Sequence, residues 1–322
     1  MICSLMLTLP THLLTAIEAE LSQIPTHELI TAADELSQFY RSPRHNPFIL
    51  KPLHCLAYLA VRLPATFMVA TVVCARLPQQ MTSLLDCGAG PGTLLWALSS
   101  LQHPLKQATL YERDRSFVAL GQRLQKSMPD TQTIDVDWRT ITLQTQDSFP
   151  SHDIVSISYV LNELDLSSQK QLISRAWSAA TQAVVIIEPG TPQGFKSLLQ
   201  ARQQLIDQGA CIFAPCPHNL TCPMAGGEDW CHFSARLPRS SWHRQIKQAQ
   251  LAFEDEKYCY LIATKEKSHE AKYRIIKRPL RKSGHVTLDL CTPSGLKRST
   301  LSKRDKIIYS KARNVVWGDT WI

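Results

Sequence analysis

The first fifteen of the chain's 322 residues contain no Lys or Arg, and Glu18 and Glu20 follow soon after. That excludes the basic start of an export signal and departs from the Arg-rich, acid-poor composition of an import segment. Long apolar runs are also missing. The most apolar stretch, Leu53 to Leu77, is interrupted by Arg62 and Pro64, and neither side reaches the run of about 20 residues that spans a membrane. No internal repeat or low-complexity tract is visible. What remains is ordinary for a globular protein, 44% hydrophobic and 19% charged, and long enough for two or three domains. A cytoplasmic monomer with no membrane association is expected. Its ten cysteines should then be reduced, which points to metal ligation or buried thiols rather than disulfides.

The net charge of +8 is unevenly placed. Residues 1–264 hold 20 Lys and Arg against 22 Asp and Glu, a net of −2, whereas residues 265–322 hold 15 against 5, a net of +10. A basic excess confined to one short region reads as a footprint for a polyanion, because each cation set against a phosphate releases condensed counterions. A solvated basic face is the simpler alternative.

The first eighty residues read as a helical cap. Leu13, Leu14, Ile17, Leu21 and Ile24 recur at helical spacing, Thr26 is placed as an N-cap, and Leu29, Ala33, Leu36 and Tyr40 continue the pattern. A turn around Ser42, Pro43 and Pro47 precedes two apolar helices divided at Pro64. From Thr82 short apolar runs alternate with helical stretches: Ser83 to Cys87, Ala108 to Glu112, Thr133 to Asp137, Ile154 to Val160 and Ala183 to Glu188. Five strands with helical crossovers predict a doubly wound, Rossmann-like parallel α/β sheet. A helix from Pro192 to about Gln208, a strand at Cys211 to Ala214, a cysteine-rich insertion over 211–233 and a last strand near Tyr258 to Thr264 complete it. The predicted domains are therefore 1–80, 81–264 and 265–322, the last a small β domain with a strand at His285 to Leu290.

Asp86-Cys87-Gly88-Ala89-Gly90-Pro91-Gly92 lies where the first strand turns into the first crossover helix. Glycines at alternate positions let the backbone pass tightly under a ligand, and a helix N-terminus behind them offers N–H groups. A dinucleotide fingerprint is G-x-G-x-x-G. Here the form is G-x-G-x-G with an acid two residues ahead, which suits the methionine end of S-adenosylmethionine (SAM) and a class I SAM-dependent methyltransferase sheet. Glu112, closing the second strand, is placed to accept hydrogen bonds from a ribose diol. A ligand-free tight turn is the plain alternative.

After the fourth strand comes Ser158-Tyr159-Val160-Leu161-Asn162-Glu163-Leu164, at the sheet edge where such folds bind ligands. Asn162 and Glu163 are the catalytic candidates, able to orient a nucleophile or take its proton; they read equally well as an N-cap and a surface acid. The Asn-Pro-Pro-aromatic signature of amino-group methylation is absent, so the methylated atom is not named.

Cys216, Cys222 and Cys231 crowd a proline-rich loop and Cys291 lies in the basic tail, giving C-x5-C-x8-C-x59-C. Four thiolates close a coordination sphere for zinc or an iron-sulfur cluster. The wide spacing, with no Cys-x-x-Cys pair, favours a [4Fe-4S] cluster over zinc, with His218 and His232 able to replace one cysteine. Four buried thiols are the alternative, and that reading is kept for Cys3, Cys55, Cys74, Cys87, Cys211 and Cys259.

Taken together, these segments resemble a known family. Ala57 to Ala60, Arg62 to Ala65, Asp86 to Gly92, Ser158 to Leu164, Glu188 to Pro192 with Gly194 and Phe195, Ala214 to His218, Cys222-Pro223, Trp230-Cys231-His232-Phe233 and Asp255 to Lys257 look like the methyltransferase-like family of small ribosomal subunit assembly proteins. The resemblance spans roughly Leu53 to Trp317, and the animal member is methyltransferase-like protein seventeen. It implies a SAM-type fold, a [4Fe-4S] cluster on Cys216, Cys222, Cys231 and Cys291, a SAM site at Asp86, Gly88, Gly90, Gly92 and Glu112, and association with the small ribosomal subunit. Without an import segment, a bacterial relative is expected.

Three functions follow as expectations. The first is a SAM-dependent methyltransferase acting on small-subunit ribosomal RNA, its basic tail on the phosphates. The second is a non-catalytic assembly factor that keeps the SAM site and the cluster. The third is a small-molecule methyltransferase with a zinc staple, whose binding would be indifferent to salt.

Overall fold

A computed structural model describes residues 8–41, 51–129 and 133–322. The turn expected at Ser42, Pro43 and Pro47 lies outside them, as does Cys3. The chain packs into two compact units, Met1–Asp147 with Ala235–Glu256, and Ser148–Ser234 with Lys257–Ile322.

Unit one begins with four helices, α1 (Thr11–Leu21), α2 (Thr26–Arg41), α3 (Pro52–Val61) and α4 (Leu63–Cys74). Leu13, Ile17 and Leu21 of α1 and Leu29, Ala33 and Leu36 of α2 are buried at the helical repeat. Thr26 starts α2 rather than preceding it. Pro52 opens α3, where its missing N–H costs nothing, and Pro64 sits in the first turn of α4. The break at Arg62 bends the pair by 54°, and no single helix among the described residues is long and apolar enough to cross a membrane. Arg62 pairs there with Glu256 at 3.2 Å.

The same unit continues with β1 (Ser83–Cys87), α5 (Thr93–Ser100), β2 (Gln107–Glu112), α6 (Arg115–Gln125) and β3 (Asp135–Thr140). The strands run parallel, with β2 between β1 and β3. Asp114 caps α6, its carboxylate accepting the Ser116 N–H at 2.8 Å.

Unit two holds β4 (His152–Ser158), α7 (Leu166–Ala179), β5 (Ala180–Pro189), α8 (Pro192–Asp207) and β6 (Cys211–Ala214). After β7 (Phe233–Pro238) and α9 (Ser241–Ile246), β8 (Phe253–Thr264) returns the chain to this unit. β4 and β5 are parallel, while β8 runs antiparallel to both β5 and β6. The sheet is therefore mixed. β4 stops at Ser158 instead of the expected Val160 because Tyr159 takes a left-handed φ of +61°, which ends strand geometry.

The tail adds β9 (Tyr273–Ile275), β10 (Leu280–Lys282), β11 (His285–Thr292), β12 (Gly295–Ser302), α10 (Lys306–Asn314) and β13 (Thr320–Trp321). Its strands form an antiparallel sheet in the order β10-β11-β9-β13, with β12 paired to β11. Alternation along β11 buries Val286, Leu288 and Leu290 against Ile275, Ala312 and Trp321.

Candidate functional site

In unit one the turn between β1 and α5 holds Gly88, Gly90 and Gly92 at φ of +82°, +54° and +84°, values that cost other residues about 1–2 kcal/mol each. The turn folds onto the end of β2. Gly88 and Ala89 N–H donate to the Tyr111 carbonyl at 2.8 and 3.0 Å, and Gly92 N–H to the Ala89 carbonyl at 2.9 Å. Glu112 holds the turn as well: its two carboxylate oxygens accept the Gly90 and Asp114 N–H groups, each at 2.9 Å. Burial raises the Glu112 pKa, with those same N–H groups opposing.

The turn's own N–H groups at 88, 89, 90 and 92 are thus spent within the chain, and a ligand would meet its shape. Two observations fit SAM. A Cβ built on Gly90 meets nothing within 4 Å, so that side of the turn is open. The Thr93 hydroxyl, at the start of α5, is buried with no partner among the described residues, and a buried hydroxyl calls for one. Asp86 lies buried in β1 beneath the turn.

In unit two, Asn162 lies in a single 3-10 turn, Leu161–Glu163, after β4. It donates through Nδ2 to Glu188, whose other oxygen accepts the Leu161 N–H at 2.9 Å. Glu188, at the end of β5, is 0% exposed. The Asn162 Oδ1 and Ser158 Oγ atoms are buried without partners among the described residues. The N-cap of α7 is Asp165, which accepts the Ser168 N–H at 2.9 Å, and Glu163 is exposed. Asn162 is therefore neither a cap nor free; it forms a partly buried amide-carboxylate pair.

The four cysteines share one cavity of unit two. Cys216, Cys222, Cys231 and Cys291 line it, together with Cys259, Arg202, Arg274 and an apolar wall that includes Phe195 and Phe233. The cavity holds about 40 Å³, more than a single water requires. Among the described residues no three His, Cys, Asp or Glu side chains close around one point to hold a single ion; the sulfurs border a space. Burial, and then Cys216, Cys222 and Cys291, push the Cys231 thiol well above its usual range. Burial pushes Cys291 up to about 12, with Cys216 and Cys222 adding and Arg202 and Arg274 opposing. Thiols that raise one another in this way ionise together only around a shared cation.

The charges on the lining fit such a centre. Arg202 on α8 is 3% exposed and donates through one terminal nitrogen to the His218 and Leu220 carbonyls, both at 2.8 Å. Its Nε is buried without a partner, and no carboxylate pairs with it among the described residues. Arg274 is 1% exposed and donates to the Pro215 carbonyl at 2.8 Å, the Gly318 carbonyl at 3.0 Å and Glu270 at 2.5 Å. An unbalanced buried cation is costly, and four thiolates carry more negative charge than one Zn2+ or a [4Fe-4S]2+ core cancels.

Neither histidine lines the cavity. His218 Nε2 lies 3.8 Å from the Cys291 sulfur. His232 is engaged with the Trp230 carbonyl at 3.1 Å, stacked on the Trp230 ring and edge-on to Trp317. Sequence reasoning missed Glu188 as a partner, Cys259 as cavity lining, and both arginines. Arg202 had a legible signal: with Leu198, Ala201 and Leu205 it fills the buried i, i+3, i+4, i+7 stripe of α8, where a lone cation is anomalous. Of the 15 Lys and Arg in residues 265–322, all but Arg274 are exposed.

The family model for the mitochondrial small ribosomal subunit protein Rsm22 matches residues 52–322. The mitochondrial ribosome assembly protein METTL17 of Homo sapiens is 26% identical over 292 residues, covering 82% of this chain and 61% of that protein. The mitochondrial ribosome assembly protein RSM22 of Saccharomyces cerevisiae is 24% identical over 242 residues, covering 43% of this chain and 38% of that protein. The chain thus spans less than two thirds of the length of these relatives. Among solved structures, magnesium protoporphyrin IX methyltransferase of Synechocystis with bound SAH aligns with a TM-score of 0.43 and 12% identity over 73% of this chain and 100% of that one. A putative RNA methyltransferase of Pyrococcus horikoshii gives 0.42 and 13% over 74% and 95%. With one family model matching everything from residue 52 onward, the chain belongs to the family of the mitochondrial small ribosomal subunit protein Rsm22.

Proposed function

We propose that this protein takes part in small ribosomal subunit assembly, binds SAM at the glycine turn of unit one, and holds a [4Fe-4S] cluster on Cys216, Cys222, Cys231 and Cys291, with methyl transfer to ribosomal RNA as its reaction. The observation that carries the reading is the gathering of the four family-type cysteines around one cavity beside an unbalanced arginine. A space bordered by sulfurs suits a polynuclear centre better than a single zinc, and the cluster would tie the tail to the cysteine loop. Bound SAM supplies an electrophilic methyl group. The chain's part is to seat it at Gly88, Gly90, Gly92, Glu112 and Thr93. Positioning of the acceptor accounts for much of a methyl-transfer barrier. The exposed basic tail would hold RNA phosphates, so binding should weaken steeply with salt. The reducing conditions of a cytoplasm suit this cysteine usage.

A second reading, assembly without methyl transfer, is favoured by one observation: the turn's N–H groups are already taken up within the chain, Gly90 by Glu112 and the others by the Tyr111 and Ala89 carbonyls. The experiment is transfer of labelled methyl from SAM to immature small subunits, with protein purified without oxygen. Incorporation into RNA that is lost in Gly90→Leu supports the enzyme. No incorporation, with SAM and RNA still bound, supports the assembly factor.

A further inference from the structure

We infer that Arg202 is the positioning and charge-balancing residue of the four-cysteine centre, holding the Cys216–Cys222 loop by its carbonyls and setting how readily the centre accepts an electron. The inference rests on the cluster reading above. Arg202 grips the His218 and Leu220 carbonyls, both between Cys216 and Cys222 in the chain, so the spacing of two ligands depends on one guanidinium nitrogen. Arg274 holds the same loop at Pro215, yet its charge is already matched by Glu270. Arg202 has no such match among the described residues; it lines the cavity, and its Nε is buried without a partner. Its full positive charge therefore acts on whatever the thiolates hold. In a buried, low-dielectric site a nearby cation favours the more negative of two redox states.

The test uses the full chain, purified and reconstituted with iron and sulfide without oxygen, as wild type, Arg202→Gln and Arg202→Lys. Iron and sulfide content, iron release to a chelator, and an electron paramagnetic resonance titration with dithionite as electron donor are read for each. The expected result is that Arg202→Lys stays near wild type. Arg202→Gln should show a tenfold shift of the one-electron equilibrium toward the oxidised form, 59 mV lower, or at least tenfold faster iron release. Equal potentials and equal release in wild type and Arg202→Gln overturn the inference. So does loss of the cluster in both variants together with early melting of both, which would make the arginine a structural clamp only. A wild-type chain that takes up no iron and sulfide sinks the cluster reading itself, and this inference with it.

Discussion

The glycine turn of unit one and the cysteine cavity of unit two treat their polar groups in opposite ways. Around the turn the backbone account is closed: Gly88, Ala89, Gly90 and Gly92 all donate within the chain, and Glu112 accepts from two of its neighbours. Around the cavity the account is open: burial pushes the Cys222, Cys231 and Cys291 thiols up, and the Arg202 guanidinium lacks a counter-ion among the described residues. A site of the first kind keeps its shape with or without a ligand. A site of the second kind depends on its occupant, because leaving buried charge uncompensated costs more than a lost hydrogen bond.

If that contrast holds, damage to unit two should be the more severe. Cys231→Ser is expected to abolish iron binding and to lower the urea midpoint strongly, since structural metal centres contribute on the order of 10 kcal/mol to small folds; an unchanged midpoint with iron lost would break the contrast. Arg274→Ala removes the ion pair with Glu270 and the hydrogen bonds to the Pro215 and Gly318 carbonyls, and should cost about 3–5 kcal/mol in equilibrium unfolding. In unit one, Gly90→Leu should cost only about 1–2 kcal/mol from its positive φ while eliminating SAM binding by calorimetry. Normal SAM affinity in that variant would mean the site lies elsewhere.

The smallest effect expected is electrostatic. In unit one, His243 first, and then Lys247 and Arg239, hold the Glu254 carboxyl well below the usual carboxylate range. An acid with a lower pKa folded than unfolded adds stability that is present above the unfolded value, about 4.3, and is lost as pH falls below it. Thermal melts should therefore show wild type losing about 1 kcal/mol more than Glu254→Gln between pH 6 and pH 3.

Local pattern made much of the fold legible. The strand expectations for Ser83–Cys87 and Cys211–Ala214 coincide with β1 and β6, because short apolar runs bounded by turn residues leave few alternatives. α10 was not legible. Ile307 is 73% exposed and only Ala312 is buried along the helix, so no apolar stripe marks it. Asn162 was visible as a polar residue after β4, but its partner Glu188 lies 26 residues on, and no local spacing announces that pair. Cys259 read as a core thiol because it sits in an apolar strand; that strand also borders the cavity.

By itself the sequence determined the period of each element, the left-handed glycine turn, and the types of donor available, since these depend on neighbours a few residues apart. Only the tertiary structure decided that Cys291 meets Cys216, Cys222 and Cys231, that Glu112 is bound to the turn it follows, and that an arginine is buried among the thiols. Those outcomes come from contacts between residues distant in the chain. The burial that sets their charge states exists only once the core has closed around them.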